Sequence, residues 1–278
     1  MRLRSLLYVP AHSKRFIAKA HERGADAIIL DLEDAVPEAD KSAARGALPD
    51  TIAAVTRNGA AAFVRINAGA RQRDDAIAAC RAGAYGLFIP KAGDPVALEA
   101  LAGTLRAEEQ AVGREPVPFV AMIEDPAAML DARSLARVQR VMALSFGAED
   151  FSANTGGTPI PDVLRYPKLT VHYAAKAEGK LSFGLLQSIA DYSDLEALAA
   201  AAREAKAHGF DGATCIHPSG VPVLNDGFAH SEAERDWAQR VLTLAETSDA
   251  AFSLDGRMVD APVVARARRI LDQQLPSV

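Results

Sequence analysis

Charged and polar side chains follow short apolar runs at the points where those runs end. The residues that share this position are Asp31, Glu33, Asp34, Arg65, Asn67, Lys91, Glu124, Asp125, Glu149, Asp150 and His217. Carboxylates that crowd together repel one another unless a cation lies between them. A divalent ion such as Mg²⁺ takes one or two carboxylates and keeps its other positions for water and substrate oxygen. A rim of structural salt bridges is the alternative, but the number of separate runs involved favours a metal.

The basic residues among these acids each have two readings. The planar fork of Arg65 suits a carboxylate or an oxyanion, or else pairs with Glu33 or Asp34 at the rim. Lys91 could form a Schiff base, but with a metal in the site it is better suited to neutralise the acids. His217 precedes a proline and could act as a base, but a hydrogen-bonded residue at a strand tip is the preferred interpretation. The sequence contains no G-x-S-x-G nucleophile motif and no His/Cys spacing typical of zinc.

The apolar runs have the length and composition of strands that are buried on both faces of a parallel sheet. Eight such strands are predicted, over residues 3–9, 27–32, 62–67, 86–91, 118–124, 142–146, 181–186 and 212–217. Helical patterns alternate with them, two of them over residues 41–57 and around residues 168–178. This alternation predicts an α/β fold, a (β/α)8 TIM barrel. An open doubly wound sheet is the alternative, but no G-x-G-x-x-G follows a strand. In a barrel the carboxyl ends of all strands share one face, so the charged residues would meet there.

The predicted order of strands and helices divides the chain into two segments. Residues 1–220 are predicted to form a TIM-barrel catalytic domain, and residues 221–278 a C-terminal helical extension or lid. The extension has predicted helices over residues 231–248 and 261–274, joined by a turn over residues 255–260. A tail without a core of its own needs a surface to pack on. We therefore expect a homo-oligomer.

Composition narrows the classes of partner. The chain has 278 residues, 49% of them hydrophobic, with a net charge of -5 and a pI near 5.7. These values give no electrostatic case for nucleic acid or an anionic membrane as a partner. The apolar run near the start is too short for a signal peptide or a membrane span. The two cysteines are expected to be reduced thiols, and the protein to be cytoplasmic.

The motifs at the strand ends resemble a known family in their order along the chain. They are residues 4–10, 31–36 with Lys41 and Arg45, 64–67, 89–91, 123–124, 145–150, 209–212 and 216–218. Together they resemble the citrate lyase β-subunit-like group of the HpcH/HpaI aldolase superfamily, whose relatives include malyl-CoA and citramalyl-CoA lyases. The match runs from about residue 2 to the final helix.

This resemblance implies a Mg²⁺-dependent carbon–carbon lyase of the aldolase or Claisen type. It would act on a β-hydroxyacyl-CoA thioester such as citryl-, malyl- or citramalyl-CoA, and yield an oxo acid. Glu124 and Asp150 would bind Mg²⁺, with Asp31, Glu33, Asp34 and Lys91 nearby. Arg65 would contact the substrate oxyanion, Glu124 would also bind substrate, and Asp260 would enter a neighbouring subunit as an acid/base. A homotrimer, or a multiple of it, is implied.

Other observations leave more than one substrate and reaction compatible with the sequence. Arg15 could meet a CoA phosphate or could be an ordinary surface residue. Ala213, Gly220 and the segment Leu185-Leu186-Gln187 depart from the family pattern of Lys, Gln and Asp at these places. An acyl-CoA thioesterase on the same scaffold is one alternative. The β subunit of a citrate lyase complex that depends on an acyl carrier protein is the other.

Overall fold

Eight parallel strands form the centre of the protein in a computed structural model that describes residues 2–190, 192–248 and 250–272. They are β1 (Ser5–Pro10), β2 (Ala27–Asp31), β3 (Ala61–Arg65), β4 (Gly86–Ile89), β5 (Phe119–Ile123), β6 (Val141–Phe146), β7 (Leu181–Phe183) and β8 (Ala213–Cys215). The sheet runs from β7 through consecutive strands to β1 and then to β8. A parallel bridge between Phe183 and Gly212 links its two ends. The predicted (β/α)8 barrel is confirmed.

Helices connect the strands. They are α1 (Lys14–Ala20), α2 (Lys41–Gly46), α3 (Leu48–Val55), α4 (Gln72–Arg81), α5 (Pro95–Val112), α6 (Pro126–Leu130), α7 (Ala132–Ala136), α8 (Ala148–Thr155), α9 (Pro161–Ala177), α10 (Leu195–His208) and α11 (Gly220–Gly227). Short 3-10 turns cover Glu38–Asp40 and Gly69–Arg71. Several helices begin at an aspartate whose carboxylate accepts a backbone N–H, as Asp94 does from Val96 and Asp194 from Ala197. Such caps satisfy N–H groups that the first turn leaves without partners.

The strands build the core because their side chains are apolar on both faces. Ile28, Ile29 and Leu30 of β2 are fully buried, as are Phe63 and Val64 of β3. Gly212 lies so close to the start of β1 that a β-carbon there would fall 1.9 Å from the carbonyl oxygen of Leu3. Only glycine allows this approach, which brings the start of β8 beside β1.

Several predicted boundaries are wrong in detail. The strands end one to three residues earlier than predicted in most cases, so Asn67, Lys91 and His217 lie beyond the strands rather than in them. The predicted helix over residues 41–57 is two helices, α2 and α3, with Pro49 in the first turn of α3. Glu149 and Asp150, which follow β6 as predicted, lie in the first turn of α8. The helix around Lys168 begins earlier than predicted, at Pro161.

The chain divides into two compact units, of which Leu3–Phe228 is the first. The second, from Ala229 onward, contains α12 (Glu232–Ala245), β9 (Phe252–Leu254), β10 (Arg257–Val259) and α13 (Ala261–Leu271). Helix α11 therefore belongs to the first unit. The functional division into a catalytic domain and a lid, with its boundary at residue 220, stays a prediction.

The second unit has a small core of its own, formed by Ala238, Val241, Val259, Ala267 and Ile270. This corrects the expectation of a tail without a core. The segment predicted as a turn is an antiparallel hairpin, because Asp255 and Gly256 both adopt positive φ angles, of 51° and 72°. That pair of angles is what a two-residue hairpin turn of type I′ requires. The predicted end of the last helix, at residue 274, lies outside the described residues.

Membrane insertion receives no support from the helices. Over the ranges that the structure describes, none of them combines the length and the apolar character needed to cross a bilayer. A cytoplasmic location stays a prediction.

Candidate active site

Glu124 follows β5 and is buried, with 3% of its surface exposed. The backbone N–H of Lys91 donates to its Oε2 at 3.1 Å. The side-chain amide of Asn154, in α8, donates to the carbonyl oxygen of Glu124 at 3.1 Å. Burial raises the pKa of Glu124 to about 8, and the negative charges of Glu33 and Asp150 act in the same direction. Glu124 and Asp150 are thus close enough to interact.

The space around Glu124 depends on Gly147, the residue between β6 and α8. A β-carbon at residue 147 would lie 2.6 Å from Cγ and 3.2 Å from Oε1 of Glu124. The missing side chain therefore makes room for the carboxylate. Three residues further on, the half-buried Asp150 lies in the first turn of α8.

The carboxylates of Glu124 and Asp150 suit Mg²⁺ as a ligand set. Within the described part of the chain, no three or more His, Cys, Asp or Glu side chains converge in a way that could hold a metal ion. Two hard oxygen ligands match Mg²⁺, which binds proteins through one or two carboxylates and retains several waters. They do not match zinc, which takes three or four protein ligands with nitrogen and sulfur among them.

Arg65, at the end of β3, is bound firmly to Asp31, its register partner on β2. Its Nε and Nη2 donate to the two oxygens of Asp31 at 2.7 and 2.6 Å. Nη1 lies 3.2 Å from Glu33 and 3.1 Å from the exposed Asp34. The guanidinium also lies over the ring of Tyr8, 5.1 Å from its centroid. The structure therefore contains the ion pairs of Arg65 with Glu33 and Asp34 that the sequence suggested. The contact of Arg65 with the substrate stays a prediction.

These contacts change the acid strengths in the cluster. Burial alone would lower the pKa of Arg65, but the hydrogen bond to Asp31 and the surrounding negative charge raise it overall. Burial raises the pKa of Glu33 to about 7, although the positive charge of Arg65 opposes that shift. Burial also raises the pKa of the Tyr8 hydroxyl. Arg65 therefore keeps its charge at every pH relevant to the protein.

Lys41 holds the acidic turn in shape, a role that motif reading did not assign. Its Nζ donates to the carbonyl oxygens of Leu32 and Glu33 at 3.0 and 2.6 Å and to Oδ1 of Asn67 at 2.5 Å. Asp31 accepts the backbone N–H groups of Glu33 and Ala35. In the sequence, the only indication that Lys41 is important is its place among the motifs that resemble the family.

Lys91 adopts an unusual backbone conformation, with φ at 52°. A left-handed conformation at a residue other than glycine is strained and is often found at functional sites. Here it accompanies the N–H contact with Glu124. The ammonium group lies 4.0 Å from Oε1 of Glu33, and 57% of the side chain is exposed. This contact agrees with a neutralising role.

A groove lies between α1, β1 and the segment that follows β8. This groove has a volume of about 410 Å³. Its lining residues include Arg15, Phe16 and Lys19 of α1 and Arg23 just after it, with Tyr8, Pro10, Ile216, His217 and Pro218. Because Tyr8 lines the groove and also lies under Arg65, the groove adjoins the acidic cluster. Arg15 is exposed in this groove.

His217 and Asp260 make local contacts. Nδ1 of His217 lies 2.7 Å from Oγ of Ser219, and its ring stacks on Tyr192 with centroids 4.9 Å apart. Asp260 caps helix α13, because its Oδ1 accepts the N–H of Val263 at 3.3 Å. The capping carboxylate belongs to the second unit, and its acid/base role stays a prediction.

A barrel whose charged residues meet beyond the carboxyl ends of its strands has the layout of a TIM-barrel enzyme. Residues 4–218 match the family model described as HpcH/HpaI aldolase/citrate lyase. The chain belongs to this family. The resemblance found in the motifs and the prediction of a lyase are confirmed.

Individual relatives extend over nearly the whole chain. A citrate lyase subunit beta-like protein of Mycobacterium tuberculosis is 35% identical over 274 residues, which is 95% of this chain and 93% of that protein. A (3S)-malyl-CoA thioesterase of Cereibacter sphaeroides is 31% identical over 278 residues, covering 96% and 93%. A crystal structure of CitE from M. tuberculosis in complex with magnesium, acetoacetate and coenzyme A has a TM-score of 0.77. It is 33% identical, and the match covers 96% of each chain.

Proposed function

We propose that this protein is a Mg²⁺-dependent lyase that cleaves or forms a carbon–carbon bond in a β-hydroxyacyl thioester. The observation that supports this proposal most strongly is the environment of Glu124. Its carboxylate is buried beside other acids, and among the described residues it makes no ion pair with a basic side chain. A carboxyl group in such a place stays ionised at neutral pH only when a cation lies beside it. Magnesium in the similar CitE structure supports this choice.

Glu124 and Asp150 would hold the ion in the room that Gly147 provides. When bound there, Mg²⁺ supplies a Lewis acid for the carbonyl of the oxo acid. Arg65 would act through Nη1, because Asp31 occupies Nε and Nη2. The exposed Asp34 is the partner of Nη1 that a substrate oxygen could replace. A fixed guanidinium in a buried site stabilises a developing oxyanion effectively.

The cleavage reaction moves one proton. The hydroxyl proton leaves, and the bond between the hydroxyl-bearing carbon and the carbon next to the thioester breaks. Its electron pair forms the thioester enolate, which then takes a proton. We assign the proton transfers to Asp260 as acid/base. This assignment requires an assembly, a homotrimer or a multiple of it, in which Asp260 completes the site of a neighbouring subunit.

The thioester arm would lie in the groove along α1. Arg15, Lys19 and Arg23 supply cations for phosphate groups, and the exposed Phe16 supplies an apolar surface. Since the groove adjoins Arg65 through Tyr8, a bound thioester can extend from it toward the acidic cluster. Coenzyme A in the similar CitE structure supports a CoA thioester as the substrate.

A thioesterase is the second candidate. The similarity to the (3S)-malyl-CoA thioesterase favours it, since that relative also matches nearly the full chain. In this reaction water would attack the thioester instead of an enolate forming. A third candidate, the β subunit of a citrate lyase complex, would use the same chemistry on an acyl carrier protein.

A product analysis separates these candidates. Purified protein is incubated with malyl-CoA, citramalyl-CoA and citryl-CoA, with Mg²⁺ or with EDTA. A lyase yields acetyl-CoA and an oxo acid, whereas a thioesterase yields free CoA and the hydroxy acid. Reaction only with acyl carrier protein thioesters identifies the complex subunit. The proposal fails if no thioester of either carrier reacts in a Mg²⁺-dependent manner.

A further inference from the structure

Two adjacent residues in the loop between β7 and α10 are tied to other parts of the barrel. The carbonyl oxygen of Gln187 accepts a hydrogen bond from Nζ of Lys168 at 2.9 Å. The hydroxyl of Ser188 donates to Oε1 of Glu149 at 2.5 Å. Glu149 precedes Asp150 in the first turn of α8. The loop is therefore fastened beside the candidate metal ligands.

Lys168 is costly to bury. It lies in α9 with 4% of its surface exposed, and it makes no ion pair with any described residue. Its Nζ lies 5.5 Å from the ring centroid of Phe146, the last residue of β6. Burial lowers the pKa of Lys168 to about 7, although the negative charge of Glu149 opposes that shift. An apolar side chain would fill this place at lower cost, so the hydrogen bond to Gln187 calls for a functional explanation.

The same loop also reaches the groove. The ring of Tyr192 stacks on His217, with centroids 4.9 Å apart and planes 14° apart. His217 lines the groove that we assign to the thioester arm. The loop thus contacts both Glu149, beside the acidic cluster, and His217, in the groove. Buried Leu185 and Leu186 anchor its start in the core.

We propose that Lys168 is a positioning residue that holds Gln187 and Ser188 as one wall of the substrate site. This inference rests on the proposed function, because it assumes that a thioester extends from the groove to the acids. Lys168 acts through the loop and does not touch the substrate. Its loss should therefore weaken substrate binding and leave the binding of Mg²⁺ alone unchanged.

The test compares Lys168→Met, which has a similar length but no donor, with Lys168→Arg, which restores one. Lys176→Met is the matched control, since Lys176 lies on the same helix and pairs with Asp211 at 2.6 Å. The measurements are KM for the reactive thioester, the Kd for Mg²⁺ by calorimetry, and amide hydrogen exchange over residues 185–190. Loss of one buried hydrogen bond corresponds to about a tenfold change in an equilibrium constant.

For Lys168→Met we expect KM to rise about tenfold, and exchange in the loop to increase by a similar factor. The Kd for Mg²⁺ should stay within about twofold, and Lys168→Arg should recover most of the loss. Ser188→Ala should raise KM in the same way, and it decides the question if Lys168→Met does not fold. Unchanged KM and exchange, or an equal effect of Lys176→Met, would overturn the inference. If the wild type cleaves no thioester, the proposed function fails, and loop exchange still tests the positioning by Lys168.

Discussion

The side chain of Glu124 passes so close over Gly147 that a β-carbon at residue 147 would lie 2.6 Å from Cγ of Glu124. Such a distance between non-bonded carbons is not tolerated, so an alanine there must displace the carboxylate or the backbone. Gly147 also connects β6 to α8, the helix that carries Asp150. One glycine therefore sets the position of both proposed metal ligands.

Gly147→Ala is expected to weaken Mg²⁺ binding by at least about tenfold, because the displaced carboxylate loses its place beside Asp150. Calorimetric titration with Mg²⁺ measures the effect. Gly103→Ala is the control, since Gly103 lies in α5 with open space around its α-carbon. That variant should bind Mg²⁺ normally and gain up to about 1 kcal/mol in stability. Normal Mg²⁺ affinity in Gly147→Ala would contradict the assigned role of Gly147.

Arg65→Lys keeps the charge but loses the planar fork that binds both oxygens of Asp31. We expect kcat to fall by about 100-fold or more if Nη1 serves the substrate oxyanion. Arg81→Lys is the control, because Arg81 makes an exposed pair with Glu108 at 2.6 Å. An Arg65→Lys enzyme that loses stability but keeps its kcat would show that Arg65 has only a structural role, as a salt-bridge partner.

The burial of Lys168 predicts a pH dependence of stability. Its pKa is about 7 in the folded protein and 10.5 as the ordinary value. Between pH 7 and pH 10.5, Lys168 is protonated in the unfolded chain and deprotonated in the folded protein. The free energy of unfolding due to Lys168 therefore increases as the pH rises through this range. The gain reaches several kcal/mol, at about 1.4 kcal/mol per pKa unit.

Urea unfolding of the wild type and of Lys168→Met at pH 7, 8 and 9 isolates this contribution. The free energy of unfolding of the wild type, relative to the variant, should increase with pH. A constant difference between the two proteins would show that Lys168 does not titrate in this range.

The proposed shared site predicts complementation between two inactive variants. Asp260→Ala lacks the acid/base, and Glu124→Ala lacks a metal ligand. Co-expression with two different affinity tags allows hybrid oligomers to be purified. Some of their sites would receive an intact half from each chain, so partial activity should return. Confirmed hybrids without activity, or a fully active monomer, would refute the shared site.

Some of this arrangement could be predicted because local patterns determine it. The run that ends at Asp31 is apolar on both faces and therefore reads as an interior strand, and eight such runs define a barrel. The contact of Lys41 with Asn67 could not be predicted, because it depends on how the start of α2 and the loop after β3 meet in space. The hairpin at Asp255 was missed because its strands are only three residues long. Lys168 resembled any helical surface lysine until the packing of α9 showed it to be buried.

The central claim is that Glu124 and Asp150 bind the ion on which the reaction depends. Titration calorimetry with Mg²⁺ tests it on the wild type, Glu124→Gln and Asp150→Asn, with the exposed acid variant Glu115→Gln as the control. We predict one Mg²⁺ per chain for the wild type and the control. Each of the two site variants should bind at least about 100-fold more weakly, because the lost charge is a direct ligand. Wild-type affinity in Glu124→Gln or Asp150→Asn would contradict the account.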